Sequence, residues 1–131
     1  MFSYYAMKVL SFFLCLLPHG AAMALGTGLA RLAWIFIPAR RKALAREQVM
    51  RCLGVSEEEA ARIARASSLR FGPMLMEVLR FPVMQQHMSD YVTLTGAVEE
   101  LRAVVEEGRG AVFATSHSGN WELMGGAFAA A

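Results

Sequence analysis

The sequence predicts an α/β protein in which a membrane anchor and a helical region precede the first βαβ unit of an α/β domain. Three observations support this class. Residues 1–39 are almost entirely apolar, and residues 40–88 combine many basic side chains with apolar residues at helical spacing. Residues 89–131 hold two short β-type runs on either side of a helical segment, which is typical of a right-handed crossover unit.

The composition excludes several classes of protein. Of the 131 residues, 56% are hydrophobic and 18% are charged, compared with roughly 45–50% and about 25% in soluble domains. Intrinsic disorder is excluded because it requires low hydrophobicity and high net charge. The two cysteines, Cys15 and Cys52, form neither a disulfide framework nor a C-x-x-C pair. The apolar excess therefore indicates a membrane.

The net charge of +2 is unevenly distributed along the chain. Residues 40–80 carry nine basic and five acidic side chains, whereas residues 81–131 carry two basic and six acidic ones. A basic middle segment suggests an anionic partner. Nucleic acid is not expected, because the sequence has neither a groove-reading motif nor aromatic platforms. Lipid headgroups or an acidic carrier protein fit this charge better.

The apolar head resembles a secretory signal peptide in part. Lys8 would be its basic region, residues 9–17 its apolar region and residues 22–24 its small-residue cleavage site. However, the apolar character resumes directly after this site and continues through Ile37. A cleaved signal before a soluble domain does not explain this continuation, which favours a retained anchor.

Two forms of anchor remain open. One is a spanning helix that is kinked at residues 18–20, and the other is a pair of interfacial segments with Arg31 reaching toward headgroups. Both predict membrane attachment. The basic cluster that follows predicts that the rest of the chain is cytoplasmic; it consists of Arg40, Arg41, Lys42 and Arg46.

Local signals predict two helices in the basic region. Apolar residues between 45 and 53 recur on one helical face, and Gly54 ends that helix. Ser56 and Glu59 form a capping box that begins the second helix, and Pro73 is expected to kink or restart it. Four arginines are expected on or near its polar side, either solvated or in contact with phosphates or an acidic protein: Arg62, Arg65, Arg70 and Arg80.

The last third of the chain predicts the βαβ unit. Residues 91–95 are β-branched and aromatic, and residues 97–107 have apolar side chains at helical spacing. Residues 111–115 are apolar without alternation, as in a strand buried on both faces of a parallel sheet. Ligands of open α/β sheets bind beyond the carboxyl ends of the strands, and at that end residues 117–122 read HSGNWE.

His117 and Glu122 lie on opposite sides of the predicted strand-to-helix turn. On one helix they would point about 140° apart, whereas across a turn they can meet. Glu122 would then accept a hydrogen bond from one imidazole nitrogen and leave the other as a general base. Two ligands without a third do not make a metal site, so none is expected. Ser116 and Ser118 do not lie in the G-x-S-x-G pattern of serine hydrolases.

The run HSGNWE at residues 117–122 resembles the signature of the lipid A biosynthesis late acyltransferases, the lauroyl/myristoyl acyltransferase family. The apolar head, the basic cluster and the turn at residues 108–110 also follow one another in the order that this family shows. Glycerolipid acyltransferases in general carry Asp where this chain has Glu122, which favours the lipid A branch. The resemblance implies transfer of a fatty acyl group from an acyl carrier protein thioester to a hydroxyl of a lipid A precursor, at the cytoplasmic side of the cell inner membrane.

The same resemblance implies roles for four residues. His117 takes the proton from the acceptor hydroxyl, Glu122 orients and stabilises the imidazole, and Asn120 and Trp121 shape the turn or contact substrate. No cofactor is implied. Because family members are considerably longer, the resemblance also implies an amino-terminal portion that is inactive by itself. The alternatives are a membrane-anchored interaction protein without catalysis and a family member acting on another glycolipid.

Overall fold

The computed structural model describes residues 1–93, 95, 98–108, 110, 112, 114, 116 and 118–130, and most of these are helical. The chain divides into two compact units, Met1–Arg80 and Phe81–Ala131. The first unit contains α1 (Phe2–Cys15), α2 (His19–Phe36), α3 (Ala39–Leu53) and α4 (Glu57–Leu79). The second contains α5 (Phe81–Met84), a 3-10 helix (Gln85–Asp90), α6 (Val98–Glu106) and α7 (Trp121–Ala130).

The predicted α/β fold is wrong, because no strand and no sheet occur among the residues that the structure describes. The first predicted strand, at residues 91–95, begins as the end of a helical turn. The backbone N–H groups of Tyr91 and Val92 both donate to the carbonyl oxygen of Met88, at 3.0 and 2.9 Å. These donors are therefore used locally and do not take part in a strand ladder.

The second predicted strand, at residues 111–115, is likewise not found where the chain is described. Val112 is fully exposed instead of buried between helices, while residues 111, 113 and 115 lie outside the described residues. Apolar and β-branched residues form a strand only where a neighbouring strand takes up their hydrogen bonds. The helix predicted between the two runs is confirmed as α6.

Helix α4 contacts α1, α2 and α3, and it meets α2 backbone to backbone. A Cβ atom at Gly26 would lie 2.6 Å from Cγ of Met76 and 2.7 Å from the carbonyl oxygen of Gly72. Small residues four positions apart on both helices permit this approach. They are Ala22, Gly26 and Ala30 on α2, and Ala60, Ala64, Ser68 and Gly72 on α4.

The end of α1 is fixed to the end of α4. Leu14 packs in a buried cluster with Met76 and Leu79, and the hydroxyl of Ser11 donates to the carbonyl oxygen of Leu79 at 2.5 Å. Arg80 was expected on a polar face but is only 3% exposed. Its guanidinium donates to the carbonyl oxygen of Leu14, in the last turn of α1 where carbonyls lack partners within the helix, and to that of Leu17 just after the helix.

The local helix signals of the basic region are confirmed at both ends of the connection between α3 and α4. Gly54 follows α3 with φ 65°, a left-handed conformation that glycine adopts at low cost. The hydroxyl of Ser56 accepts from the N–H of Glu59 at 3.2 Å. By contrast, α4 continues through Pro73, so the helix does not restart there, and the alternative expectation of a kink stays a prediction. Buried residues on both sides of the proline, Ala64 and Met76 among them, hold the helix together.

The second unit packs α7 against the elements at its start. Met84, Met88 and Ala127 are buried there. Gly126 lies against the ring of Phe81, so close that a Cβ atom at this position would collide with the ring. The 3-10 helix also contacts α7. These contacts determine the position of the helix on which the candidate site is built.

No single helix among the described residues is both long enough and apolar enough to cross a bilayer. Helices α2 and α3 meet these criteria only when taken together, and they are bent by 106° at their junction. The shorter helix α1 is also apolar.

Candidate active site

The candidate site begins at the amino-terminal end of α7. Three of the four predicted site residues lie there: Asn120 precedes the helix, Trp121 is its first residue and Glu122 its second. Gly119, just before them, has φ 66°, so the chain turns sharply as it enters the helix. The fourth residue, His117, lies outside the described residues, and its pairing with Glu122 stays a prediction.

Asn120 caps α7. Its side-chain oxygen accepts a hydrogen bond from the backbone N–H of Leu123 at 3.2 Å, and its carbonyl oxygen accepts from the N–H of Met124 at 3.1 Å. Asparagine is among the preferred residues for this position because its short side chain reaches an N–H group that has no partner within the helix. Asn120 therefore shapes the turn, and its contact with substrate stays a prediction.

Glu122 lies in the first turn of α7, and it is exposed. A carboxylate there is favoured by the partial positive charge at the amino-terminal end of a helix. The helix thus presents a carboxylate to solvent three residues after the sharp turn at Gly119. This arrangement suits a group that orients or stabilises a neighbouring cation.

The sequence did not indicate which residues hold α7 in place. Gly126 allows the ring of Phe81 to approach the helix backbone, and Ala127 beside it is only 2% exposed. The available signal was the pair Gly125-Gly126, because glycine is unfavourable inside a helix unless a close contact requires it. Gly126 is therefore part of the support of the site.

The chain matches the family described as bacterial lipid A biosynthesis acyltransferase over residues 1–130. Comparison with curated proteins and with solved structures finds no significant match. The family match includes the apolar head, the basic region and the residues at the start of α7. Because it covers nearly the whole chain, the protein belongs to the bacterial lipid A biosynthesis acyltransferase family and is an acyltransferase of the lipid A type.

Proposed function

We propose that the protein transfers a fatty acyl group from an acyl carrier protein thioester to a hydroxyl of a lipid A precursor. The hydroxyl oxygen attacks the thioester carbonyl, a C–O bond forms and the C–S bond breaks. The observation that carries this proposal is the position of the HSGNWE run, which leads into α7 with Glu122 in the first helical turn, in a chain of this family.

In this reaction His117 is the general base. It takes the proton of the acceptor hydroxyl during the attack and returns it to the thiolate that leaves. Glu122 accepts a hydrogen bond from the other ring nitrogen and stabilises the imidazolium that forms. Its exposed position at the start of α7 leaves it accessible to such a partner. Trp121, the first residue of the helix, contacts the substrate or shapes its approach.

Attachment to the membrane is the second part of the proposal. Soluble monomers rarely expose large contiguous apolar surfaces, whereas α1 and α2 expose many large apolar side chains. They include Phe2, Tyr5, Val9, Phe12 and Phe13 on α1, and Leu25, Leu29, Leu32, Ile35 and Phe36 on α2.

The junction of α2 and α3 has features of a membrane–water boundary. The ammonium of Lys42 lies 5.0 Å from the ring centroid of Trp34, and tryptophan is enriched at the headgroup level of bilayers. Basic residues that follow an apolar segment are retained on the cytoplasmic side. We therefore assign the protein to the cell inner membrane, with α3 and the residues after it at the cytoplasmic face.

The test is acyl transfer by the complete natural protein, with purified acyl carrier protein thioester and lipid acceptor. His117→Ala is expected to lower the rate by about two to four orders of magnitude, the usual contribution of a general base. Glu122→Gln is expected to reduce it by less, because it acts through the histidine. Membrane binding should be unchanged in both.

Two matched controls separate chemistry from folding. His87→Ala removes an exposed histidine of the 3-10 helix, and Glu100→Gln removes another acid from the first turn of a helix, α6. Both are expected to retain activity. Unchanged transfer by His117→Ala would exclude the assigned base, and transfer to a different glycolipid alone would exclude the assigned acceptor.

A further inference from the structure

An open groove of about 940 Å³ lies on the first unit, between α2 and the amino-terminal half of α4. Arg31 of α2 lines one wall, and Arg62 and Arg65 of α4 line the other. Leu69 extends the α4 wall with an apolar side chain. The groove is therefore lined by three arginines from two helices, whose backbones approach each other closely at Gly26 and Gly72.

The charges in the groove are not equally compensated. Arg62 donates twice to the carboxylate of Glu59, at 2.8 and 2.5 Å, and this hydrogen bonding lowers the pKa of Glu59. Arg31 and Arg65 form no ion pair with any residue that the structure describes. Glu58 also lines the groove, in the first helical turn that favours acids. Two guanidiniums without an ion pair thus share the groove with one such carboxylate, and the groove keeps one net positive charge for an external anion.

Arg31 is the single charged residue between Lys8 and Arg40 in the sequence. On the same helix, Leu25, Leu29 and Leu32 are exposed at a spacing that places them together on another side of α2. The helix therefore has an apolar stripe and a guanidinium that lines the groove. This is the arrangement of a helix at a bilayer surface, with its cation at the level of the phosphates.

We propose that Arg31 and Arg65 bind the phosphate group of an anionic phospholipid at the membrane surface. A guanidinium matches phosphate oxygens with two parallel hydrogen bonds, which a lysine cannot do. Leu69 provides an apolar contact for the glycerol end of the lipid. The site rests on the membrane attachment proposed above, and it adds recognition of the lipid headgroup to that attachment.

The experiment measures binding of the purified protein to vesicles of phosphatidylcholine and to vesicles with an equimolar amount of phosphatidylglycerol. Arg31→Gln and Arg65→Gln are each expected to lower the phosphatidylglycerol-dependent affinity about fivefold. Arg31→Lys should recover only part of it. The matched control is Arg70→Gln, because Arg70 is an exposed arginine of α4 that does not line the groove.

The vesicles separate failure of this site from failure of membrane attachment. If the unaltered protein does not bind phosphatidylcholine vesicles, the proposed attachment is wrong. If it binds them but Arg31→Gln, Arg65→Gln and Arg70→Gln lose equal affinity for phosphatidylglycerol, the basic surface is diffuse and the groove is not a site. The proposed site is also overturned if Arg31→Gln and Arg65→Gln both retain the affinity of the unaltered protein for phosphatidylglycerol vesicles.

The source of the phosphate group is distinguished by competition. Inorganic phosphate is added at an ionic strength matched with chloride. Displacement from phosphatidylglycerol vesicles by phosphate and not by chloride supports a site for the phosphate group itself, which free phosphate also fills. Resistance to displacement, together with the loss in Arg31→Gln, supports the lipid as the ligand.

Discussion

The side-chain oxygen of Asn120 accepts a hydrogen bond from the backbone N–H of Leu123, at 3.2 Å. The contact joins the HSGNWE run to the first turn of α7, and Glu122 lies between the two residues that make it. Any change in this cap therefore acts on the carboxylate assigned to orient the base.

Asn120→Ala is expected to destabilise α7 by about 1 kcal/mol, the usual cost of losing a side-chain cap. Asn120→Asp should keep the stability, because aspartate caps equally well. The free energy of unfolding and the rate of acyl transfer are measured for both variants in the complete natural protein. If Asn120→Asp is stable and yet loses as much activity as Asn120→Ala, the amide contacts substrate and its role exceeds capping.

Gly72→Ala is expected to destabilise the first unit by about 1–3 kcal/mol. The new methyl group would collide with the carbonyl oxygen of Gly26 and lie 2.7 Å from Cβ of Ala30. Gly28→Ala on α2 is the matched control, since nothing lies within 4 Å of its added Cβ, and it should stabilise by about 0.4–1 kcal/mol. Chemical denaturation of both variants gives the comparison. Similar effects of Gly72→Ala and Gly28→Ala on the free energy of unfolding would contradict the close approach of α2 and α4 at Gly72.

Arg80→Met is expected to cost about 3 kcal/mol, because two hydrogen bonds from a charged donor are lost. The carbonyl oxygen of Leu14 keeps only its hydrogen bond from the N–H of Leu17. Arg80→Lys should fall between the unaltered protein and Arg80→Met. Both hydrogen bonds come from one guanidinium nitrogen, Nη1, and the shorter lysine side chain brings its ammonium less close to the two carbonyl oxygens. The exposed Arg70 provides the control: Arg70→Met should change the free energy of unfolding by less than about 0.5 kcal/mol. Equal changes in the free energy of unfolding for Arg80→Met and Arg70→Met would show that the buried hydrogen bonds of Arg80 do not stabilise the fold.

The pair Glu59–Arg62 predicts a particular dependence of stability on pH. Hydrogen bonds from Arg62 hold the pKa of Glu59 below its ordinary value of 4.5, so folding favours the ionised carboxylate. The stabilisation is complete above this ordinary value and is lost as the pH falls through the lowered pKa.

The measurement is the difference in free energy of unfolding between the unaltered protein and Glu59→Gln, followed from neutral to acid pH. The difference should shrink as the solution becomes acidic and should also shrink at high salt, because the pair is exposed. Glu58→Gln is the control, since Glu58 forms no ion pair within the described part of the chain. A difference that grows in acid contradicts the assignment.

The parts of the fold that the sequence predicts correctly depend on neighbouring residues. Gly54 ends α3 and Ser56 caps α4 through contacts only a few residues apart. Strands depend instead on a partner strand, and the run at Tyr91 finds a local acceptor in Met88. The burial of Arg80 also depends on residues far away in the sequence, because its acceptors lie 63 and 66 residues earlier.

The candidate site likewise has one part that the sequence predicts from neighbouring residues and one part that depends on residues far apart in the chain. The cap at Asn120 follows from a short asparagine side chain directly before a helix, a local rule that sequence expresses. The support of α7 by Phe81 at Gly126 joins residues far apart in the chain, and composition alone does not pair them. The pairing of His117 with Glu122 stays a prediction until an experiment tests it.

The contact between Arg80 and the end of α1 also has a consequence during synthesis. Leu14 leaves the ribosome 66 residues before Arg80 does, which at roughly 5–20 residues per second is a delay of about 3–13 s. During this time the segment of α1 lacks the hydrogen bonds that later hold it to the end of α4. Under the membrane attachment proposed above, its apolar side chains would reach the bilayer before α4 is available to cover any of them.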